Sequence, residues 1–537
     1  MAPPQARRGR RPQPPAVPGG YQARVGWLLR INRLYGRDES ASIAADFGRR
    51  FGGTGLQRPV GEPTISRWET GRRPVSHVVL RGYEDLLGLP AQILVAVADA
   101  ARPVDDGPGP ASRDAGTEQR TEDLLYQAVD GAVMAGGDWT DLTGGLLAAP
   151  RIVLFPRDTW SGLAERLLAE MVIAESTGWL QRIEALQRLL RHPHGRPAVI
   201  RAVGDLIRDG TNQVFVDPLT LLESVGHPEA TGHLLRQIAD PTNEHARRGA
   251  WCSAAEKIRR GHFSPAELNF LSRQATDLLT GEAPHPGCRV AAAELLRQTR
   301  GDVASKFTGV LRKAADDDAV TRHVLRRGRM AAAEAAATVI ERLAGHAVSR
   351  LPREGLAEDP LLEVLLDEML FHPQVSRRLL AAQFIEATPY RPLIAGALVA
   401  ELGRCSASSP ALACAILQAL STVGDPEART LVQKLVLATG IPPEVTEAAA
   451  WSLGHLRGES PVAFWSTALA RQLGNTPVGP SALSLSSARG LVYGLGVSRN
   501  TAMLRRLSSS AAGEPAVRTA AAWWLRTPRA VLDSTGR

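Results

Sequence analysis

The sequence contains 537 residues, of which 44% are hydrophobic and 22% are charged, as in ordinary soluble globular proteins. This length allows about three domains, or one long helical array beside a smaller domain, and it excludes a chain that is disordered throughout. Apolar stretches such as residues 89–98 are shorter than the roughly 20 residues that cross a bilayer, and no apolar signal segment follows the basic N-terminus. We therefore expect no membrane partner.

The net charge of +8 is concentrated at one end of the chain. Residues 1–100 contain 15 arginines and no lysine against eight acidic residues, so the remaining residues carry almost no net charge. This asymmetry indicates a local site for a polyanion rather than a generally basic surface. The cysteines lack CxxC or metal-ligand spacing and are expected to be reduced core residues of a cytoplasmic protein: Cys252, Cys288, Cys405 and Cys414.

The two Pro- and Gly-rich stretches of the N-terminal region predict unstructured segments. Residues 1–20, with four arginines, are expected to form a disordered basic arm, either a solvated tail or an arm that follows the DNA minor groove. A folded domain is expected over 21–101, and a flexible linker over 102–123. From 124 to 537, Leu, Ala and Arg dominate and strand-like alternation is scarce, which predicts an all-α fold class.

Residues 24–101 predict a small helical domain with five helices. The first covers about 24–35, with core positions at Trp27, Leu28, Ile31 and Leu34. Ser40 or Ser42 is suited to cap the second, whose apolar face is formed by Ile43, Ala44 and Phe47. The fourth and fifth are expected at about 76–87 and 90–101.

The third helix is short and carries the most specific pattern. It lies in the segment E-P-T-I-S-R-W-E-T-G-R-R-P at 62–74, where Pro63 suits the first turn and Gly71 ends the helix. Ile65 and Trp68, three residues apart, share the buried face. The residues on or near the exposed side are Thr64, Ser66, Arg67 and Thr70.

Residues 65–74 and the helix spacing around them resemble the helix-turn-helix domain of the Cro/lambda-repressor type (the XRE family), over about 65 residues of the chain. The resemblance implies that the helix at about 63–70 enters the DNA major groove. It also implies that Glu69 pairs with Arg33 of the first helix as a structural contact. The implied base-edge or phosphate contacts are Thr64, Ser66 and Arg67, and the implied phosphate contacts are Thr70, Arg72 and Arg73.

One departure from that family is the long segment G-G-T-G-L-Q-R-P-V-G at 52–61, where the family has a turn of a few residues. This segment has two possible interpretations. It is either a wing-like insertion that brings Arg58 to the DNA backbone, or a sign that the third helix docks differently on DNA.

The region from 124 onward is quasi-periodic. A turn with Pro, followed by Arg, recurs before Ala-rich helices at Pro193/Arg196, Pro286/Arg289, Pro426/Arg429 and Pro515/Arg518, with looser copies at Pro241/Arg247 and Pro373/Arg377. The patterns D-P-E-A-R at 425–429 and V-R-T-A-A-A at 517–522 resemble HEAT-like repeats. The resemblance covers about 185–527 and implies an α-solenoid. Neighbouring prolines of these copies lie 45 to 53 residues apart, or about twice that distance, which predicts a period in the mid-forties, as in such repeats. The alternative is an irregular helical domain whose prolines simply begin helices.

No nucleotide-binding, serine-hydrolase or zinc-protease motif is present in the sequence, and His192, His194, His227 and His233 lack partners at ligand spacing. We therefore predict no catalytic residue, no metal site and no cofactor, and a protein that is not an enzyme. An enzyme related to HEAT-like DNA-repair glycosylases is an alternative, and the near-neutral charge of the array argues against it.

Together these features predict a bacterial transcriptional regulator that binds double-stranded DNA and is cytoplasmic, associated with the nucleoid. The array would serve dimerisation or bind a protein, peptide or small-molecule effector. A homodimer is expected, because such domains commonly bind paired half-sites. The main alternative is an interaction scaffold whose N-terminal domain binds DNA nonspecifically, or binds protein.

Overall fold

The computed structural model describes residues 20–102, 115–156, 158–281, 285–299, 308–351, 359–474, 480–511 and 513–534. Within these ranges every regular element is a helix, which confirms the predicted all-α class. The predicted basic arm at 1–20 lies outside the described residues except for Gly20. No helix in the described part of the chain is both long and apolar enough to cross a membrane.

The N-terminal helices pack around an aromatic core. The rings of Phe47 and Phe51 lie 5.5 Å apart, and both contact Tyr83, at 4.8 and 5.6 Å between centroids. Ile65 and Trp68 are buried in the same core, as their spacing predicts. The helices are α1 (Tyr21–Tyr35), α2 (Ala44–Arg50), α3 (Glu62–Glu69), α4 (His77–Leu87) and α5 (Ile93–Ala101), with 3-10 turns at Glu39–Ser42 and Phe51–Gly53.

The start of the second predicted helix differs from expectation. A 3-10 turn replaces its first turn, so Ile43 lies in extended backbone and its side chain is 57% exposed. The prediction that Ile43 belongs to the core is therefore wrong. Asp38, rather than Ser40 or Ser42, caps the turn by accepting a hydrogen bond from the Ser40 amide at 3.0 Å.

The array begins earlier in the chain than predicted. Helix α6 (Ala115–Val129) starts inside the interval 102–123, which the sequence assigns to a flexible linker. The next helices, in the first half of the array, are α7 (Gly136–Ala148), α8 (Thr159–Met171), α9 (Ser176–Arg191), α10 (Gly195–Arg208), α11 (Val216–Thr220), α12 (Pro228–Ala239), α13 (Glu244–Arg259), α14 (Pro265–Thr280), α15 (Pro286–Gln298), α16 (Thr308–Asp317) and α17 (Ala319–Arg327).

The second half of the array continues the same alternation. Its helices are α18 (Ala333–Val348), α19 (Pro360–Phe371), α20 (Val375–Glu386), α21 (Arg391–Cys405), α22 (Pro410–Val423), α23 (Pro426–Leu437), α24 (Pro443–Ser452), α25 (Val462–Leu473), α26 (Ala482–Val497), α27 (Thr501–Ser509), α28 (Pro515–Arg526) and α29 (Arg529–Ser534). Contacts run between alternate helices, such as α13 with α15 and α24 with α26, while the intervening helices cover one side. Two such rows fit the α-solenoid that the sequence predicts.

The spacing of the helical pairs is shorter than predicted. Helices α22, α24, α26 and α28 begin at residues 410, 443, 482 and 515, so the step is 33 to 39 residues rather than the mid-forties. The Pro/Arg copies do not mark one position of a repeat. Pro286 and Pro515 begin helices of the inner row, whereas Pro426 begins a helix of the outer row.

The two ends of the array meet. Helix α29 packs on α8, and Arg182 of α9 donates a hydrogen bond to the Ser534 carbonyl at 2.9 Å. Farther along, Arg489 of α26 donates to the Asn212 carbonyl at 3.0 Å. The inner row, from α9 to α26, therefore surrounds a central cavity of about 850 Å³.

Helix α1 is buried on more than one side, because it also packs on the second half of the array. Arg24 forms two hydrogen bonds with the Glu368 carboxylate, at 2.7 and 2.6 Å. Asn32 Nδ2 donates to the Ala387 carbonyl at 2.8 Å. The N-terminal helices are thus docked on the array rather than held apart from it by a spacer.

The centre of this docking contact is Trp27. Its indole N–H lies 3.0 and 2.9 Å from the two carboxylate oxygens of Asp359, and its ring stacks on Tyr390 with centroids 6.2 Å apart. The Tyr390 hydroxyl donates to the same carboxylate at 3.0 Å. Asp359 therefore joins α1 to the start of α19 and to the residue that precedes α21.

Candidate functional site

The face of α3 that the sequence predicts to be exposed is exposed in the structure. Ser66 and Arg67 are exposed and Thr64 is half-buried, whereas Ile65 and Trp68 on the other face are buried. This arrangement results from the amphipathic spacing of the helix. The exposed face is open to a ligand.

The implied pairing of Arg33 with Glu69 is confirmed. Arg33 Nε and Nη2 lie 2.6 and 2.7 Å from the two oxygens of the Glu69 carboxylate, and the Tyr83 hydroxyl donates to the same group at 2.9 Å. Burial and the adjacent Glu69 charge raise the pKa of Tyr83 well above its usual value. These contacts fix the end of α3 between α1 and α4.

A compact turn follows α3 and orients three predicted contact residues. The amides of Arg72 and Arg73 donate to the Arg67 carbonyl at 2.9 and 3.1 Å, and the Thr70 hydroxyl donates to the Ser66 carbonyl at 2.7 Å. Gly71 has a φ of +68°, and a Cβ there would lie 2.8 Å from the backbone of Gln22, so α1 and this turn can approach only at a glycine. Arg72 and Arg73 are left exposed.

The segment 52–61 folds back on α2. The Val60 amide donates to the Gly48 carbonyl at 2.8 Å, and the Thr54 hydroxyl donates to the Phe51 carbonyl at 2.8 Å. Arg58 is exposed. Its role at a DNA backbone stays a prediction, as do the roles of the α3 residues.

The exposed arginines of this region are electrostatically uncompensated. Within the described residues, Arg58, Arg67, Arg72 and Arg73 form no ion pair with an acidic side chain. Arg24, Arg33, Arg49 and Arg50, in contrast, each have a carboxylate partner. The region therefore presents positive charge that an anionic ligand can neutralise.

The second candidate site is the central cavity. Three arginines line it from different helices: Arg248 on α13, Arg289 on α15 and Arg378 on α20. Aromatic side chains, among them Trp179, Phe215, Trp451 and Tyr493, line it as well. None of these residues was predicted from the sequence to form a site, because they come from helices far apart in the chain.

A polar cluster bridges opposite sides of the inner row. His285 Nε2 lies 2.8 Å from one oxygen of Glu447, and the Ser486 hydroxyl donates to the other at 2.6 Å. His245 Nε2 and the Trp451 indole N–H contact the same Ser486 oxygen, at 2.9 and 3.3 Å. Burial raises the pKa of Glu447, but the contacts with His285 and Ser486 outweigh it and hold the pKa at about 2. The Ser486 hydroxyl thus has three polar partners, through which it joins α13, α24 and α26.

Acidification is expected to weaken the cluster at His245. Burial is the main reason that the pKa of His245 is lowered from 6.5 to about 3, and the Arg489 charge adds to it. Because His245 is harder to protonate in the folded protein than in the unfolded chain, protonation favours unfolding. The contribution of neutral His245 to the free energy of unfolding is therefore complete above pH 6.5 and is lost as the pH falls toward 3. His245→Gln should therefore flatten the decline of the unfolding free energy between pH 7.5 and 5, measured by denaturation, relative to His323→Gln. Equal declines in the two variants would contradict this.

Among the described residues, no group of three or more His, Cys, Asp or Glu side chains comes together in a way that could hold a metal ion. His192 packs on Trp160, with centroids 4.6 Å apart, and its Nδ1 accepts from the amides of His194 and Gly195 at 3.2 and 3.3 Å. Comparisons of the chain with models of protein families, with curated proteins and with solved structures found no match. A function for this chain must therefore be inferred from the geometry of its two candidate sites.

Proposed function

We propose that this protein is a DNA-binding transcriptional regulator, with α3 as the helix that enters the major groove. The observation that carries the proposal is the exposed set Arg58, Arg67, Arg72 and Arg73, which has no acidic partner in the described ranges. The opposite face of α3 is fixed in the core by Ile65 and Trp68, so the helix is a rigid support for these side chains. Rigid presentation favours sequence-specific contacts.

Arg67 and the residues after α3 would have different roles. Arg67 lies on the exposed face of α3, where a guanidinium is suited to pair with guanine O6 and N7. Arg72 and Arg73 follow the helix in a hydrogen-bonded turn, and Arg58 lies in the adjacent segment, as expected for phosphate contacts. Thr64, Ser66 and Thr70 would contribute polar contacts. The protein would act in the cytoplasm, at the nucleoid, and bind paired half-sites as a homodimer.

Arg67→Ala is expected to weaken binding to a selected DNA site by about 1–3 kcal/mol, or roughly 5- to 150-fold, because a bidentate contact to guanine is lost. The test is a selection of genomic fragments with the full-length protein, followed by titration of the enriched site at near-physiological salt. The paired substitution Arg72→Ala and Arg73→Ala should instead lower affinity for all sequences and reduce the salt dependence.

Arg326→Ala is the matched control for these variants. Arg326 is exposed near the end of α17 and forms no ion pair within the described residues, so its loss changes the net charge without touching α3. Enrichment of one sequence by the wild type and by Arg326→Ala, but not by Arg67→Ala, would support the proposal. Binding without any common sequence would favour the interaction scaffold, and the same loss in both variants would show that only net charge matters.

A further inference from the structure

We infer that the central cavity is a binding site for an amphipathic small-molecule anion, whose acidic group lies among Arg248, Arg289 and Arg378 and whose apolar, ring-containing body lies against the aromatic wall. This site goes beyond the proposed DNA binding and does not depend on it. Its ligand class is indicated by three arginines that have no acidic partner in the described residues, by the buried, unpartnered Nε atoms of Arg248 and Arg289, and by the size of the cavity.

Arg248 is the first of these groups. It has no acidic partner and no side-chain hydrogen bond within the described residues, and its Nε is buried without a partner. The guanidinium lies against the start of α15, where a Cβ added at Gly287 would be 2.9 Å from Arg248 Nε. A helix N-terminus carries a partial positive charge, so the field around Arg248 is more favourable still for an anion.

Arg289 extends from the first turns of the same helix. Like Arg248, it lines the cavity, has its Nε buried without a partner, and forms no ion pair within the described residues. Both side chains are half-buried, and their Nε atoms are shielded from water. An anion bound beside them would therefore be attracted more strongly than at a fully exposed surface.

Arg378 lines the same cavity from another helix, α20. Its side chain donates only to uncharged atoms: Gln418 Oε1 at 3.0 Å, the carbonyls of His372 and Pro373 at 2.7 and 3.1 Å, and Met330 Sδ at 3.6 Å. Burial lowers the pKa of Arg378 to about 10, and the positive charge of Arg248 contributes to the shift. The charge of Arg378 is therefore without an acidic partner within the described residues, like the charges of Arg248 and Arg289.

Six carboxylates line the cavity, and within the described residues none of them forms an ion pair with the three arginines: Glu175, Asp217, Asp317, Asp318, Glu444 and Glu447. Glu447 is held by His285 and Ser486, Asp217 accepts from the Trp179 indole at 3.2 Å, and Asp318 caps α17. Glu444 is the carboxylate on the neighbouring helix α24, and it forms no ion pair with the arginines in the part of the chain that the structure describes. The three arginines therefore remain available.

The remaining lining and the volume define the rest of the ligand. A cavity of about 850 Å³ lies within the range of roughly 300–1,000 Å³ that is usual for small-molecule sites. The rings of Trp451 and Tyr493 lie 5.6 Å apart and form an aromatic wall. Val290, Met330 and Leu379 add apolar surface. An inorganic anion would leave this surface in contact with water, so an acid with an apolar ring system fits better.

A pair of fluorescent probes tests the inference directly. Anilinonaphthalene sulfonate carries both an anionic group and an aromatic body, whereas N-phenylnaphthylamine has a closely similar body without the charge. We expect the full-length protein to bind the sulfonate saturably at one site. The double variant Arg248→Gln, Arg289→Gln should lower the affinity for the sulfonate at least about tenfold, because its charged group loses two partners. The affinity for the neutral probe should fall less than about twofold. The control variant Arg326→Gln should change the affinity for neither probe.

Three outcomes would overturn the inference: no saturable binding of the sulfonate, equal losses for the two probes, or an equal effect of Arg326→Gln. A melting curve of the free variant separates a binding role from a structural one. Because Arg248 and Arg289 are uncompensated in the free protein, their replacement should leave Tm unchanged or raise it, and a large drop in Tm would show that they stabilise the fold instead. Arg67→Ala should leave probe binding unchanged, so failure of the DNA proposal and failure of the cavity inference are distinguishable.

Discussion

Asp359→Ala is expected to lower the free energy of unfolding by at least about 3 kcal/mol and to release α1 from the array. Asp359 accepts hydrogen bonds from the Trp27 indole at 3.0 and 2.9 Å, from the Tyr390 hydroxyl at 3.0 Å and from the Leu362 amide at 3.2 Å. Alanine would leave two buried donors without a partner, at about 1–3 kcal/mol each, and would remove the N-cap of α19, worth about 1 kcal/mol.

Denaturant unfolding followed by tryptophan fluorescence measures this loss, and the change in the environment of Trp27 reports the release of α1. Asp85→Ala is the matched control, because Asp85 is exposed on α4 and forms no ion pair within the described residues. Asp359→Asn keeps one carbonyl oxygen as an acceptor. Its loss of unfolding free energy should therefore lie between those of Asp359→Ala and Asp85→Ala. A loss below about 1 kcal/mol in Asp359→Ala would contradict the buried contact.

Glu170→Ala should lower the free energy of unfolding by about 3–5 kcal/mol, because it leaves a buried cation without its counter-ion. Glu170 is fully buried and accepts from the Trp139 indole at 2.7 Å and from Arg166 Nε and Arg182 Nε at 3.1 Å each. The Arg182 side chain is only 2% exposed. Since Arg182 also donates to the Ser534 carbonyl, the contact between the two ends of the array should loosen as well.

In full-length Glu170→Ala, amide hydrogen exchange should therefore be faster in both α7 and α29 than in the wild type. Glu165→Ala provides the comparison on the same helix, because Glu165 is exposed and forms no ion pair within the described residues. If α29 keeps the protection that it has in the wild type, the closure of the array does not depend on the Glu170–Arg182 pair.

The parts of this fold that could be predicted from the sequence are those set by neighbours in the chain. The spacing of Ile65 and Trp68 determines the buried face of α3, and Gly71 with a φ of +68° ends the helix where expected. The Arg33–Glu69 pair, 36 residues apart, was accessible only through a family resemblance. The DNA contacts of α3 stay a prediction.

The docking contact and the cavity could not be predicted, for two physical reasons. Arg24 and Trp27 contact residues more than 300 positions away, and helical periodicity carries no information about such partners. The cavity arginines lie on separate helices, each of which has an ordinary amphipathic pattern. A weak signal was present on α13, where His245, Arg248 and Cys252 recur on one face, but polar residues at that spacing usually indicate a solvated face.

The contact between Trp27 and Asp359 also has a consequence for synthesis of the chain. The two residues are 332 positions apart, so a ribosome that adds about 5–20 residues per second needs roughly 20 to 70 seconds to pass from one to the other. During this interval the first helix has emerged while its partner helices do not yet exist. The nascent protein therefore carries an uncovered tryptophan face, and any truncated product that ends before residue 359 retains it permanently.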